Sequence, residues 1–314
     1  MMKIRVFEKV RKFFYILQLI EVRLQKIQQA LGRIESRQLD IHSSNDFQKY
    51  EYQVYSQWGE DGLIQHLISK IVIDNPIFVE FGVERYTESN TRFLLINNNW
   101  SGLVIDGSDK NIQHIKNDPI YWKHNLKAEC AFIDKDNINS LIQKNGISGD
   151  IGILSIDIDG NDYWVWEAIN VVNPSIVICE YNSLWGPELA VTTPYDPTFF
   201  RTNKHYSNLY WGASIAAFTE LANLKGYSLV GSNCAGNNIF FVRNDLLGNL
   251  NVLPPQSAWV KSQFRESKSE IGELTFLPIV AALELLANMP LINLADGQIY
   301  RVSELYLHKQ EFVY

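Results

Sequence analysis

Acidic residues close several short apolar runs in this sequence, and they are the first candidates for chemistry. Glu80 lies in Ile77-Phe-Val-Glu-Phe-Gly82, and Asp106 ends Gly102-Leu-Val-Ile-Asp106. Asp134 ends Cys130-Ala-Phe-Ile-Asp134, Asp157 ends Ile151-Gly-Ile-Leu-Ser-Ile-Asp157, and Glu180 ends Ile176-Val-Ile-Cys-Glu180. Asp159 and Asn182 each follow two residues behind one of these acids. If the runs are neighbouring strands, their tips lie about 5 Å apart. Asp157, Asp159, Glu180 and Asn182 can then converge into an all-oxygen set of the kind that takes Mg²⁺ or another divalent cation. A cation there would lower the pKa of a substrate hydroxyl and position its oxygen. The plainer reading of the same groups is that they hold loops by hydrogen bonds. His205, in the loop Arg201–Tyr210, has the side-chain type suited to accepting a proton near neutral pH, although a lone loop histidine is usually a surface residue. Asp157-Ile-Asp159 is also a DxD triplet, which leaves a metal-dependent glycosyltransferase as an alternative.

The elements that must position these groups alternate between helix and strand from about residue 60, the pattern of a parallel α/β sheet. Helices are expected over 61–72, 88–97 and 163–169. The five acid-ended runs supply parallel strands, and 227–231 with 238–243 resemble a closing antiparallel hairpin. The acids then share the carboxyl edge of the sheet, where open α/β folds bind ligands. Ser56-Gln-Trp-Gly-Glu-Asp61 precedes the first helix and is placed to fold over a ligand there. Trp185, Tyr195, Phe199, Phe200, Tyr206, Tyr210 and Trp211 crowd the segment after the fifth strand, either as a platform for a sugar ring or as a packed lid. Residues 262–290 carry helical patterning, so we divide the chain into 1–40, a body over 41–246, and a helical appendage over 247–314.

The N-terminal segment is a separate object. Val6, Val10, Phe13, Leu17, Ile20, Leu24, Ile27, Leu31 and Ile34 follow alternating steps of four and three, a sustained heptad. Leucine dominates the a positions and isoleucine the d positions, which favours trimers or tetramers over a parallel pair. Self-association through this coiled coil is therefore expected. The bases among Phe13, Phe14 and Tyr15 leave contact with a membrane surface open as a second reading. Residues 1–40 hold nine Lys/Arg against four Asp/Glu, so the rest of a chain of net charge −7 carries −12. An acidic body argues against nucleic-acid partners. Three cysteines without CxxC spacing, and no evident signal peptide, point to a reducing, cytoplasmic setting, extended by the basic segment to the inner face of a membrane.

The phrases Phe78-Val-Glu-Phe-Gly82, Trp100-Ser-Gly-Leu-Val-Ile-Asp-Gly-Ser108 and Leu154-Ser-Ile-Asp-Ile-Asp-Gly160, in this strand order, resemble class I S-adenosylmethionine-dependent methyltransferases. Within these the chain is most similar to the FkbM-like group associated with polysaccharide biosynthesis. The resemblance covers roughly residues 50–245. It implies a Rossmann-like, mostly parallel seven-stranded sheet, S-adenosylmethionine as cofactor, and O-methylation of a carbohydrate hydroxyl on a glycan or glycosylated metabolite. By position it implies that Glu80 and Gly82 lie beside the methionine and ribose portions, that Asp106 accepts from the ribose hydroxyls, and that Asp134 lies near the adenine amino group. It places Asp157 at the cofactor and the reaction, and likens the acids of the fourth and fifth strands to the metal site of metal-dependent O-methyltransferases. The chain departs from the pattern after Gly82, where Val83, Glu84, Arg85 and Tyr86 replace the usual glycine-rich loop. That departure keeps open a third reading, a coiled-coil scaffold without catalysis.

Overall fold

A computed structural model describes residues 2–39, 44, 46–264 and 267–307, with side chains from Lys9 onward. Strands β1 (Ile77–Phe81), β2 (Ser101–Asp106), β3 (Leu126–Cys130), β4 (Gly149–Ile156) and β5 (Val172–Glu180) run parallel. A two-residue strand, β6 (Val191–Thr192), lies apart from them. β7 (Tyr227–Ser232) and β8 (Asn238–Arg243) complete a seven-stranded sheet of order β3-β2-β1-β4-β5-β8-β7. β8 pairs antiparallel with both of its neighbours. The order reverses between β1 and β4, the switch point at which such sheets open a ligand crevice.

Side-chain alternation along the strands builds a core on each face. Val177 and Cys179 of β5 face one core with Ile239 and Phe241 of β8, while Ile176, Ile178, Phe240 and Val242 face the other. Helix α1 (Met2–Gln38) stands at the N-terminus. α2 (Glu60–Lys70), α3 (Arg92–Asn97), α4 (Asp109–Asn117) and α5 (Pro119–Lys123) cover the second face. α6 (Ile138–Lys144), α7 (Asp162–Ala168) and, beyond the short α8 (Arg201–Lys204), α9 (Ile215–Lys225) cover the first, where Trp166 and Phe218 are almost wholly buried. Burying one such aromatic side chain stabilises the fold by roughly 1.5–3 kcal/mol.

Two expectations shift. β3 spans Leu126–Cys130 rather than 130–134, because the edge strand is buried on one face only and its Lys127 and Glu129 break the apolar run. The C-terminal segment contains short helices α10 (Pro255–Ala258) and α11 (Ile279–Leu285), and also two strands, β9 (Pro290–Asn293) and β10 (Gln298–Arg301). These strands join β6 in a small antiparallel sheet of order β10-β9-β6. Asp296-Gly297 at the hairpin turn is the signal that sequence reasoning passed over. Leu283, Leu286, Leu291, Val302 and Tyr306 of this segment pack on Trp185, Phe199, Tyr210 and Trp211 in a third apolar cluster. Residues 40–43 and 45, where the N-terminal segment meets the body, lie outside the described residues. Among the described residues, no helix is long and apolar enough to cross a membrane.

Candidate active site

A cleft of about 1010 Å³ opens at the carboxyl edge of β1, β2, β4 and β5. Seven acidic side chains line it (Glu80, Glu84, Glu88, Asp106, Asp157, Asp159 and Glu180), three of them (Glu80, Asp157 and Glu180) held toward the protonated form by burial, against two basic ones, Arg201 and Lys268. So acidic a crevice favours a positively charged ligand and repels a diphosphate.

At one wall Asp106 ends β2. Its Oδ1 accepts from Ser108 N (2.8 Å) and Asn111 Nδ2 (3.0 Å), and its Oδ2 from Glu84 N (2.8 Å). A carboxylate has about four acceptor directions, so Oδ2 retains capacity for a ligand hydroxyl. Phe132, half exposed, and Ile133 flank the same wall. The loop expected to need glycines keeps its shape with other residues: Glu84 (φ 46°) and Tyr86 (φ 58°) adopt the left-handed conformation themselves. The Asp106 carboxylate holds Glu84 N, and Arg92 Nη1 donates to Tyr86 O at 2.6 Å. Gly82 does need to be glycine. Its φ is +69°, and a Cβ would fall 1.6 Å from the Asp157 carbonyl oxygen. Gly82→Ala is expected to destabilise the protein by about 3 kcal/mol or more, from left-handed strain plus a clash with the β4 tip. A thermal unfolding midpoint within a degree of wild type would contradict this packing.

The opposite wall is built by the tips of β4 and β5. Asp162 accepts from Ile158 N and Gly160 N, both at 2.8 Å, and so folds the segment 157–162 into a tight loop. Asp157 and Glu180 face each other at the two strand tips, close enough for the charge of Asp157 to raise Glu180. Burial, then the charges of neighbouring carboxylates, raise both well above the usual carboxylate range. Glu180 Oε2 and Asn161 Oδ1 are buried acceptors at this wall that have no partner among the described residues. Such orphaned acceptors call for a donor from a ligand or water. Arg201 Nη1 pairs with Asp159 Oδ1 at 3.1 Å and its Nε donates to Asn208 O at 2.7 Å, while the guanidinium lies over the Trp211 ring.

Glu80, Gly82, Asp106, Asp157, Asp159 and Glu180 therefore meet in one cleft, and Gln57 brings the 56–61 segment to its rim. Glu80 serves mainly to anchor the 87–91 loop: its carboxylate accepts from Asn90 N (2.8 Å), Thr91 N (3.2 Å) and Thr91 Oγ1. Three expected site residues do not line the cleft. Asp134 accepts from Asp136 N and Asn137 N, capping the turn beyond β3. Asn182 donates to Leu209 O and Trp211 O and accepts from Leu184 N, so its amide holds the loop beyond β5 in place. His205 bonds Ser207 through Nδ1 and stacks on Tyr206, and burial lowers its pKa. The donor set does not support the metal expectation. Asn182 spends its amide on the 182–184 turn and on two backbone carbonyls, Asp159 is paired with Arg201, and among the described residues no group of three or more His, Cys, Asp or Glu is arranged to hold a metal ion. Sequence reasoning missed Asn161, Arg201, Asn111 and Phe132; of these only Asn161 carried a signal, in the dense polar run Asp157–Asp162.

The buried acids also set a pH dependence. Burial raises Asp61 to about 6, and Glu80 and Asp162 to about 7. Unfolded carboxyls ionise near pH 4, so between about 4 and 7 the folded chain binds more protons than the unfolded one, and stability falls as pH rises through that window. His124 and His205, both lowered by burial, pull the other way but are outnumbered. The melting midpoint is expected to be higher at pH 5.5 than at pH 7.5; the reverse order would contradict the assignment.

The sequence matches no family model and no curated protein. Among solved structures it is similar to an S-adenosylmethionine-dependent methyltransferase from Clostridium acetobutylicum ATCC 824 (14% identity, TM-score 0.31), covering 53% of this chain and 64% of that one. It is also similar to PKMT2 from Rickettsia typhi (12% identity, TM-score 0.39), covering 60% of this chain and 53% of that one. A third is M. capricolum TrmK in complex with S-adenosyl-homocysteine (10% identity, TM-score 0.30; 60% and 68% covered). The chain thus spans less than two thirds of the length of the first two. The α/β assignment rests on the strand order itself.

Proposed function

We propose that this protein is an S-adenosylmethionine-dependent methyltransferase that methylates a carbohydrate hydroxyl. The observation that carries the reading is the acid-lined cleft at the sheet's switch point, with Asp106 at the tip of β2. A methyl donor bearing both a sulfonium and an ammonium is drawn to carboxylates, whereas a nucleotide-sugar diphosphate is repelled by them. The cofactor, when bound, supplies a methyl group activated by the positive sulfur.

The chain's own residues then divide the work. Asp106 Oδ2 accepts from a ribose hydroxyl, and Phe132 and Ile133 flank the base. The Asp157–Glu180 pair faces the acceptor. Its remaining carboxylate takes the proton as the hydroxyl oxygen forms its bond to carbon, a role that needs a pKa near the working pH. His205, set outside the cleft, has no part in this scheme. Phe200 lines the cleft at 56% exposure and offers the face on which a sugar ring stacks; Trp185 and Trp211 are packed away as the lid.

Transfer of labelled methyl from S-adenosylmethionine to a panel of glycans and glycosides tests the reading. Incorporation that resists metal chelation is expected. In the responding acceptor, Phe200→Ala should raise KM about 10-fold, roughly the 1–1.5 kcal/mol of one stacking contact, with cofactor affinity unchanged. Incorporation confined to amines or carbon acids would overturn the carbohydrate assignment.

A further inference from the structure

Helix α1 uses two different faces. Near its C-terminal end it docks on the body through polar and small residues. Gln28 Nε2 donates to Val54 O, Gln29 Nε2 donates to Tyr55 OH (2.8 Å), and Ser36 bonds Tyr52. Gly32 is buried against Val54 and Phe93, where a Cβ would come within 2.5 Å of Val54. Leu39 then enters the body's core. On a helix turning about 100° per residue, these docking positions lie about 130° round from the heptad seam. The seam is left bare: Phe13, Ile20, Leu24, Ile27 and Leu31 are 47–60% exposed. A helix normally buries its apolar stripe and leaves its polar face to water; this one does the opposite.

The geometry points to a second copy of this chain as what covers that stripe, in a parallel helical bundle of more than two chains. Three observations favour identical helices over a lipid surface or an unrelated protein. The apolar positions keep the 3.5-residue period of a helix packed on helices through four heptads, which a membrane surface does not require. Docking through Gly32 and Ser36 leaves the seam open to partners along its whole length. The flanks are charged with opposite sign, with Glu21 and Glu35 at e positions and Lys9, Arg23 and Arg37 at g positions. Parallel chains bring an e flank against a neighbour's g flank, acid to base; antiparallel chains bring like charges together. Leucine at a with isoleucine at d selects three or four strands. The bundle would tether three or four clefts on one stalk, and this does not depend on the chemistry the clefts perform.

Light scattering after size-exclusion chromatography of the full chain tests this, without vesicles present. The expected mass is three or four times the 36.2 kDa protomer. Ile20→Asp with Ile27→Asp should reduce it three- to fourfold to one protomer. Val22→Asp, exposed but off the seam, should leave it unchanged and shows that added charge alone is not the cause. An unaltered melting midpoint of the body would show that the double variant still folds. Leu31→Cys should form interchain disulfides above the wild-type background on oxidation, since only a parallel register aligns position 31 with itself. A single-protomer mass for the wild type at tens of micromolar would overturn the proposal. So would a two-chain mass, or a double variant that stays assembled.

Discussion

Glu180→Gln is expected to lower kcat about 10²–10³-fold with little change in cofactor affinity, the range for loss of a positioned proton acceptor. The substitution is close to isosteric, so the β5 tip should keep its place while the titrating carboxyl beside Asp157 is lost. Glu180 Oε2 has no partner among the described residues, so an amide there breaks no bond of that oxygen. The pH profile separates this role from a structural one. In the wild type the rate should fall on acidification as the pair takes a second proton, since no carboxylate then remains to accept one from the substrate. In the variant the rate should be low throughout and that acid limb displaced. Equal losses in kcat and in cofactor binding, with an unmoved limb, would instead make Glu180 a purely structural acid.

Asp106→Ala is expected to weaken binding of S-adenosylhomocysteine about 100-fold, corresponding to roughly 3 kcal/mol. One part is the hydrogen bond from a ligand hydroxyl to a charged acceptor. The other is the loss of three internal bonds, to Glu84 N, Ser108 N and Asn111 Nδ2, which shape the cleft wall. Asp106→Asn retains one oxygen and should lose less, about 10-fold, from the weaker neutral bond. Calorimetric titration of both variants checks this. Equal, small losses in the two would mean that Asp106 serves the loop and not a ligand.

Much of this site was legible because acids at the ends of apolar runs mark strand tips, and strand order then brings them together. Asp106, Asp157 and Glu180 were found that way. Ligand roles were harder to read, because Asp and Asn are equally the residues of turns and caps. Asp134 and Asn182 are committed to backbone N–H groups, and Asn182 also donates to two carbonyls. The left-handed residues Glu84 and Tyr86 carry no compositional mark: what holds them is Asp106 from β2 and Arg92 from α3, both distant from them in sequence or reached only through the fold. The edge strand β3 was misplaced by four residues because its alternation is half polar. The aromatic segment left stacking platform and packed lid unresolved, and the structure divides it, with Trp185, Tyr210 and Trp211 in the lid and Phe200 at the cleft. That division came from β9 and β10, whose short runs carry little periodic signal.

The most direct test is calorimetric titration of the purified full chain with S-adenosylhomocysteine, repeated with chelator and with a uridine diphosphate sugar in its place. Micromolar binding at one site per chain is expected, insensitive to the chelator, with no heat from the diphosphate sugar. Binding of the diphosphate sugar, with none of S-adenosylhomocysteine, would contradict it and return the Asp157-Ile-Asp159 triplet to a glycosyltransferase role.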